Sequence, residues 1–166
     1  MMGYTEVIQV MGAMIIFALV LTTANRFMLN NDTVRVSSEV EVRAVSIAQD
    51  LIEFSKTVPF DAATKGNTIP DDVPDDFVSN PIPEFNKDRQ AIVAFEEFND
   101  FTETIPSDLG NFELSSVVEY MDVASDGTSS TTGSKTRFKR ITVTVTNESM
   151  MNDVNLSYIR VYNNTN

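Results

Sequence analysis

The stretch VIQVMGAMIIFALVLTTAN, residues 7–25, decides the fold of this 166-residue chain. None of its 19 residues is charged, and a helix of that length, at 1.5 Å per residue, measures about 28 Å. This is just enough to cross the hydrocarbon core of a bilayer, about 30 Å thick. A removable signal peptide is the alternative, but it needs a positively charged start, and Glu6 is the only charged residue before Arg26. We therefore expect residues 1–25 to form a retained hydrophobic helix, either a membrane anchor or part of a buried helix bundle.

The same helix is predicted to continue through residues 26–58 in amphipathic form. No proline occurs between Met1 and Pro59, and a helix should stop at or before the residue that precedes a proline. Apolar residues recur at spacings of three and four, which places them on one face of a helix. They are Val36, Val40, Ala44, Val45, Ile47, Ala48, Leu51, Ile52 and Phe54. This face predicts packing against a globular head, residues 26–166, and a coiled coil with another chain is the alternative.

Composition excludes several classes of function. The chain has 24 acidic and 12 basic residues, and a net charge of -12 argues against nucleic-acid binding, which needs Lys and Arg against phosphates. It contains no Cys and no His, so it has no thiol nucleophile, no disulfide, no zinc site of the usual kinds and no histidine base. No set of residues forms a catalytic motif. We therefore predict a protein that is not an enzyme and needs no cofactor or metal.

Residues 59–90 read as a loop. This stretch holds five of the six prolines and an acidic group, Asp71, Asp72, Asp75 and Asp76. Dense carboxylates can hold Ca²⁺, but Pro74 interrupts these and their spacing matches no calcium loop. We expect a solvated acidic loop instead.

The remainder, residues 91–163, is predicted to form an antiparallel sheet of three or four strands. Candidate strands are residues 91–98, Phe112–Val123, residues 137–148 and residues 154–163, with a flexible Ser/Thr/Gly loop at 124–136. In the third of these, Ile141, Val143 and Val145 alternate with threonines, as in a half-buried strand. A sheet of this size needs a hydrophobic partner, which the helix face provides. The fold class is thus α+β.

Four asparagines, Asn31, Asn147, Asn155 and Asn163, stand in the triplet N-x-S/T. Each is a possible glycosylation site. Such triplets also arise by chance in a chain rich in Asn, Ser and Thr.

The residues Gly3, Tyr4, Thr5 and Glu6, followed by the apolar residues 7–24, resemble the start of mature proteins of the type IV pilin superfamily. In that family prepilin peptidase removes a leader, and a glutamate stands fifth in the mature chain. Glu6 is fifth if the chain begins at Met2 and sixth if it begins at Met1. The chain departs from the family pattern in showing no basic leader, no proline within the apolar helix and no cysteine pair.

The resemblance implies a structural subunit that polymerises through its apolar helix into an extracellular surface filament, with roles such as cell adhesion. Glu6 would pair with the N-terminal amine, often methylated in this family, of a neighbouring copy. The subunit would lie in the cytoplasmic membrane before assembly, and its partners would be other copies of itself, prepilin peptidase and the pilus assembly machinery. The residues that carry assembly would be Glu6, Val7, Val10, Met14, Ile15, Phe17 and Leu21.

Two alternatives stay open. One is a minor pilin or pseudopilin of a secretion or DNA-uptake system. The other is a monomeric, membrane-anchored extracytoplasmic domain that binds a ligand.

Overall fold

The computed structural model describes residues 3–78 and 88–163. It shows an α+β protein whose long N-terminal helix, α1 (Tyr4–Thr57), precedes and packs on a five-stranded antiparallel sheet. The helix ends two residues before Pro59, as predicted. The strands are β1 (Phe101–Ile105), β2 (Phe112–Val123), β3 (Ser129–Thr132), β4 (Phe138–Thr146) and β5 (Val154–Val161). Short 3-10 helices cover Ala62–Asn67, Arg89–Ala91 and Phe95–Phe98.

The sheet has the strand order β1-β2-β4-β5, and β3 also pairs with β2. β1 pairs with the first part of β2 and β3 with its last four residues, so both lie along the edge of β2 that faces away from β4. Between them, the side-chain oxygen of Asn99 accepts a hydrogen bond of 3.0 Å from the Val118 backbone amide. This side chain satisfies a backbone donor of β2 in the gap between the two short strands.

The core forms where the amphipathic part of α1 meets one face of the sheet. Val40, Ala44 and Leu51 are fully buried, and Phe54 packs at the edge of the same cluster. From the sheet, Ile141, Val143 and Val145 of β4 point into this cluster and the intervening threonines do not, which confirms the predicted alternation. One prediction in this region is wrong, because Val36 is exposed.

The chain divides by packing into two units, one up to Glu39 and one from Val40. The second is called the packed unit below. The sequence suggested a division at residues 25 and 26, where the first charged residue after the apolar stretch appears. Hydropathy and packing change at different places because residues 26–39 are more polar but still lack buried side chains in the part the structure describes.

The predicted strand at residues 91–98 is wrong. Residues 95–98 form a 3-10 helix, in which Phe95 and Phe98 are both fully buried. Side chains three residues apart lie on the same side of a 3-10 helix, whereas a strand would place them on opposite faces. The two phenylalanines thus both reach the core, and their rings pack edge to face at 6.4 Å.

The sheet also has more strands than expected, for two reasons. Residues 129–132, predicted as part of a flexible loop, form β3, which pairs with β2 through backbone hydrogen bonds and carries no apolar side chain that could announce it. The turn before it needs Gly127, whose φ of +86° favours glycine. No strand is predicted at residues 101–105, where β1 lies, because five residues at a sheet edge give a weak alternation.

The predicted loop at residues 59–90 is described only in part, since residues 79–87 lie outside the described residues. Within it, Asp61 caps the 3-10 helix Ala62–Asn67. The four aspartates of the acidic group are all exposed, which confirms a solvated acidic loop.

Candidate functional site

Apolar side chains cover residues 7–25, called the apolar segment below, on all sides. Between 46% and 69% of the surface is exposed at each of the six predicted apolar assembly residues: Val7, Val10, Met14, Ile15, Phe17 and Leu21. With 3.6 residues per turn, five of these lie on one face of the helix and Ile15 lies outside that face. Other large apolar residues, such as Ile8, Met11 and Leu19, are exposed to a similar degree. A surface of this kind favours an apolar environment, and no such cover comes from residues 3–78 and 88–163.

The hydropathy of the apolar segment and the hydrogen bonds of its hydroxyl groups also suit an apolar environment. Its helix contains an 18-residue window of mean hydropathy 2.2 and meets the length and composition that a membrane span requires. The hydroxyl groups of Thr22 and Thr23 each donate a hydrogen bond of 2.8 Å to the backbone carbonyl four residues earlier. These hydroxyls therefore need no water, because their donors are satisfied within the helix.

Glu6 lies at the third helical position of α1. Its carboxylate Oε2 accepts a hydrogen bond of 3.2 Å from the Gly3 backbone amide, and its own amide donates to the Gly3 carbonyl at 2.9 Å. A glutamate in this position that reaches back to the residue before the helix is half of a capping box. Glu6 thus has a structural role within its own chain. The predicted partner amine at Met1 or Met2 lies outside the described residues.

The four candidate glycosylation sites differ in access. Asn31, Asn155 and Asn163 are exposed, whereas Asn147 is half-buried. The Asn147 side-chain amide donates to the backbone oxygen of Asn111 at 2.9 Å, and its oxygen accepts from the Ser149 amide at 2.9 Å. The same amide nitrogen also lies 3.4 Å from the Leu109 carbonyl, and a glycan would replace one of its two hydrogens, so one of these two donated bonds would be lost. Asn147 is therefore the least suitable of the four.

The four aspartates of the acidic group lie among the described residues and can be tested as a metal site. Among residues 3–78 and 88–163, no three or more His, Cys, Asp or Glu side chains are grouped so that they could hold a metal ion. Asp76 instead accepts a hydrogen bond from the Asp72 backbone amide at 2.9 Å, within its own turn.

A second site lies inside the packed unit and was not predicted. Lys139, Asp61 and Glu96 form a buried charge cluster, in which the side-chain exposures are 1%, 0% and 6%. The Lys139 Nζ atom lies 2.6 Å from Asp61 Oδ2 and 3.2 Å from Glu96 Oε2. Aromatic rings surround the ammonium group, with the ring centroids of Phe60 at 4.7 Å and Tyr120 at 5.2 Å.

Local structure explains how the cluster is assembled. Lys139 is the second residue of β4 and shares the inward-facing positions of Ile141, Val143 and Val145. Asp61 follows the end of α1, and Glu96 belongs to the 3-10 helix at residues 95–98. The sequence feature that could have indicated this cluster is Lys139 itself, since it takes an inward position of an alternating strand. The charge of a lysine there needs a buried partner.

Burial raises the pKa of the Glu96 carboxyl; the positive charge of Lys139 opposes this shift and the negative charge of Asp61 adds to it. Burial also raises the pKa of the Tyr120 hydroxyl, with further contributions from the charges of Asp61 and Glu96. The cluster holds two carboxylates against one ammonium, so one negative charge is left without a balancing partner. A buried excess charge of this kind favours protonation of a carboxylate.

Comparisons with models of known protein families, with curated proteins and with solved structures find no match for this chain.

Proposed function

We propose that this chain is a structural subunit that polymerises through its apolar segment into a pilin-like extracellular filament. The observation that carries the proposal is the contrast between the apolar segment, whose large side chains are exposed, and the packed unit, which buries a core of its own. The resemblance of residues 3–24 to type IV pilins supports the same function.

The physical basis is the burial of apolar surface between copies. Complete burial of a large apolar side chain stabilises an assembly by about 1.5–3 kcal/mol, an upper value before the loss of entropy is subtracted. Before assembly the same surface is accommodated by a bilayer, whose thickness matches the segment. One helix therefore serves both states, as membrane anchor and then as filament core.

Glu6 is the single charged group before Arg26, and it would enter this apolar environment. A buried carboxylate is costly unless it is paired, and buried polar pairs are best known for fixing register. Its bond to Gly3 uses one of about four acceptor positions on the carboxylate, so it can still accept an amine from a neighbouring copy.

The first experiment is mass spectrometry of the N-terminal peptide from material sheared off intact cells of the native host. We expect the peptide to be abundant there and to begin at Met1 or Met2 with a methylated amine. Retention of the protein in the membrane fraction, with an unprocessed start, would contradict a filament and favour a monomeric anchored domain. Low abundance in a short periplasmic fibre would favour a minor pilin or pseudopilin.

A variant of Glu6 tests the pairing separately from the helix cap. Glu6→Gln keeps an oxygen that can accept from the Gly3 amide, since Gln also serves in a capping box, but it removes the charge. We expect it to abolish filaments, because loss of one partner of a buried ion pair costs about 3–5 kcal/mol. The measurement is filament yield by shearing and electron microscopy.

The matched control is Asp153→Asn, which removes one negative charge from an exposed residue of the packed unit. It should leave filament yield unchanged. Normal yield from Glu6→Gln would sink the proposed pairing while leaving assembly through the apolar segment open.

A further inference from the structure

The buried charge cluster contains a second carboxylate, which an ordinary ion pair does not need. An amine, a carboxylate and a second carboxylate lie in contact in a closed site lined by aromatic rings. The Lys139 Nζ atom has three acceptors, Asp61 Oδ2 at 2.6 Å, the Phe60 carbonyl at 3.1 Å and Glu96 Oε2 at 3.2 Å, which account for all three ammonium protons. The nitrogen is therefore held in a fixed position against the Asp61 carboxyl group.

The two oxygens of Asp61 have different surroundings. Oδ1 accepts backbone hydrogen bonds from Ala63 at 3.0 Å and from Val78 at 3.3 Å. Oδ2 faces Lys139 and accepts from the Val78 amide at 3.2 Å, with the Tyr120 hydroxyl 3.4 Å away. The single Val78 N–H is thus shared between the two oxygens, and Oδ1 has the Ala63 amide as a donor of its own. Backbone donors on this oxygen stabilise the negative charge that develops when a carbonyl carbon is attacked.

Glu96 is placed to move protons. Its Oε1 atom accepts from the Ala62 amide at 2.6 Å, which fixes the carboxyl group while Oε2 contacts Lys139. A carboxyl group in such a site can take a proton from an amine and deliver it to a leaving oxygen.

We propose that Lys139 and Asp61 condense to form an intramolecular amide bond, with Glu96 as the catalytic residue that transfers the proton. The ammonium first gives one proton to the Asp61 carboxylate through the contact at Oδ2. The neutral amine attacks Cγ, and the N–C bond forms while Oδ1 takes the negative charge. Glu96 takes a second proton from nitrogen and passes it to Oδ2, and the C–Oδ2 bond breaks. Oδ2 departs as water with two protons, Oδ1 becomes the amide oxygen, and Glu96 returns to its first state.

Three physical reasons favour this step. The reacting groups are held in contact, which gives the high effective concentration of an intramolecular reaction. Condensation replaces a buried ion pair, whose desolvation is costly, with a neutral amide. The side chains are almost fully buried, so once the released water has left the site, little solvent can reach the amide to hydrolyse it.

The bond would join the residues directly after α1 to the central strand β4, which are 78 positions apart in the chain. It would hold together the packed unit at the point where a pull on α1 is transmitted to the sheet. The inference does not depend on polymerisation, since a covalent bond of this kind would form in a single chain.

The test is a tryptic peptide map of the full chain, purified in detergent. The bond predicts a branched peptide in which residues 57–65 are joined to residues 138–140, lighter by the mass of one water than the two separate peptides. Trypsin would not cleave after Lys139, because its amine is acylated. Neither peptide contains a candidate glycosylation site or the N-terminus, so glycosylation and processing do not affect the result. Recovery of residues 57–65 alone, with cleavage after Lys139, would overturn the proposal.

Variants assign the roles. Lys139→Met and Asp61→Ala cannot form the bond, so they provide unlinked standards for mass and for migration on a denaturing gel, where linked wild type should run faster. Glu96→Gln keeps the size of the side chain, and we expect the folded variant, verified by circular dichroism, to remain mostly unlinked. A fully linked Glu96→Gln protein would overturn the role of Glu96.

Discussion

The two ends of α1 belong to one helix, but they differ in the solvent exposure of their apolar side chains. In residues 7–25 large apolar side chains are exposed all around the helix, whereas in residues 40–57 most of them lie on one face and are buried, with Val42 as the exposed exception. The second part has charged residues on its other face, such as Asp50, and so can satisfy both core and solvent. The first part has no polar face. In the proposed function, a bilayer and then other copies would cover this surface.

The largest expected effect compares one leucine from each part. Leu51→Ala should lower the free energy of unfolding of the packed unit by about 2–5 kcal/mol, because Leu51 is fully buried and its removal leaves a cavity. Leu21→Ala, at a residue that is 54% exposed, should leave this free energy unchanged. Urea unfolding followed by near-ultraviolet circular dichroism measures both, since three of the four tyrosines lie in the packed unit. Equal losses of unfolding free energy from the two variants would contradict the difference in burial between the two parts of α1.

A charge placed in the apolar segment should affect membrane retention and assembly, and not the stability of the packed unit. Ile15→Lys places an ammonium near the middle of the segment, at a cost of about 2.5–3.5 kcal/mol for a residue at the centre of a membrane span. We expect membrane retention and filament assembly to be lost, while unfolding of the packed unit stays the same. Fractionation of cells and sheared material gives the readout. Ile15→Leu is the control, and full assembly of Ile15→Lys would contradict the proposed environment.

A smaller effect on unfolding free energy is expected from substitutions at the residue of α1 where packing against the sheet begins. Val40 is fully buried and Val36, one helical turn earlier, is 47% exposed. Val40→Ala should therefore cost about 2 kcal/mol of unfolding free energy, and Val36→Ala close to nothing. The same unfolding assay would place the boundary elsewhere if the two variants behaved alike.

The smallest effect is a pH dependence from Glu96. Burial holds the pKa of this carboxyl above 4.5 in the folded state, so over an interval of pH the folded protein binds a proton that the unfolded chain has lost. Its contribution to stability is therefore complete below the unfolded pKa and is lost as pH rises through the folded pKa. Relative to Glu96→Gln, which does not titrate, wild type should lose unfolding free energy as pH increases.

The test is how the difference in unfolding free energy between wild type and Glu96→Gln changes with pH. The size of that difference at a single pH is no test, because Glu96→Gln can also change the covalent state of the cluster. A constant difference between wild type and Glu96→Gln would contradict the raised pKa.

Much of the fold could be predicted from periodicity. The limits of α1, the strand Phe112–Val123 and the inward residues of β4 follow from local spacing. The exceptions are short or polar. β3 is held by backbone pairing to β2, and Phe95 and Phe98 take a 3-10 helix because both must enter one core. Such choices depend on neighbours distant in the chain, which no local pattern reveals.

The sequence by itself determined that residues 7–25 are an uncharged apolar stretch, and that the residues after them form a helix with one apolar face followed by a sheet. These properties depend only on composition and spacing, which act locally. Tertiary structure alone decided that Asp61, Glu96 and Lys139 meet, since they come from three separate elements and up to 78 positions of chain lie between them. Their contact requires a core that closes around them, and only the complete fold excludes the water that would otherwise solvate each charge.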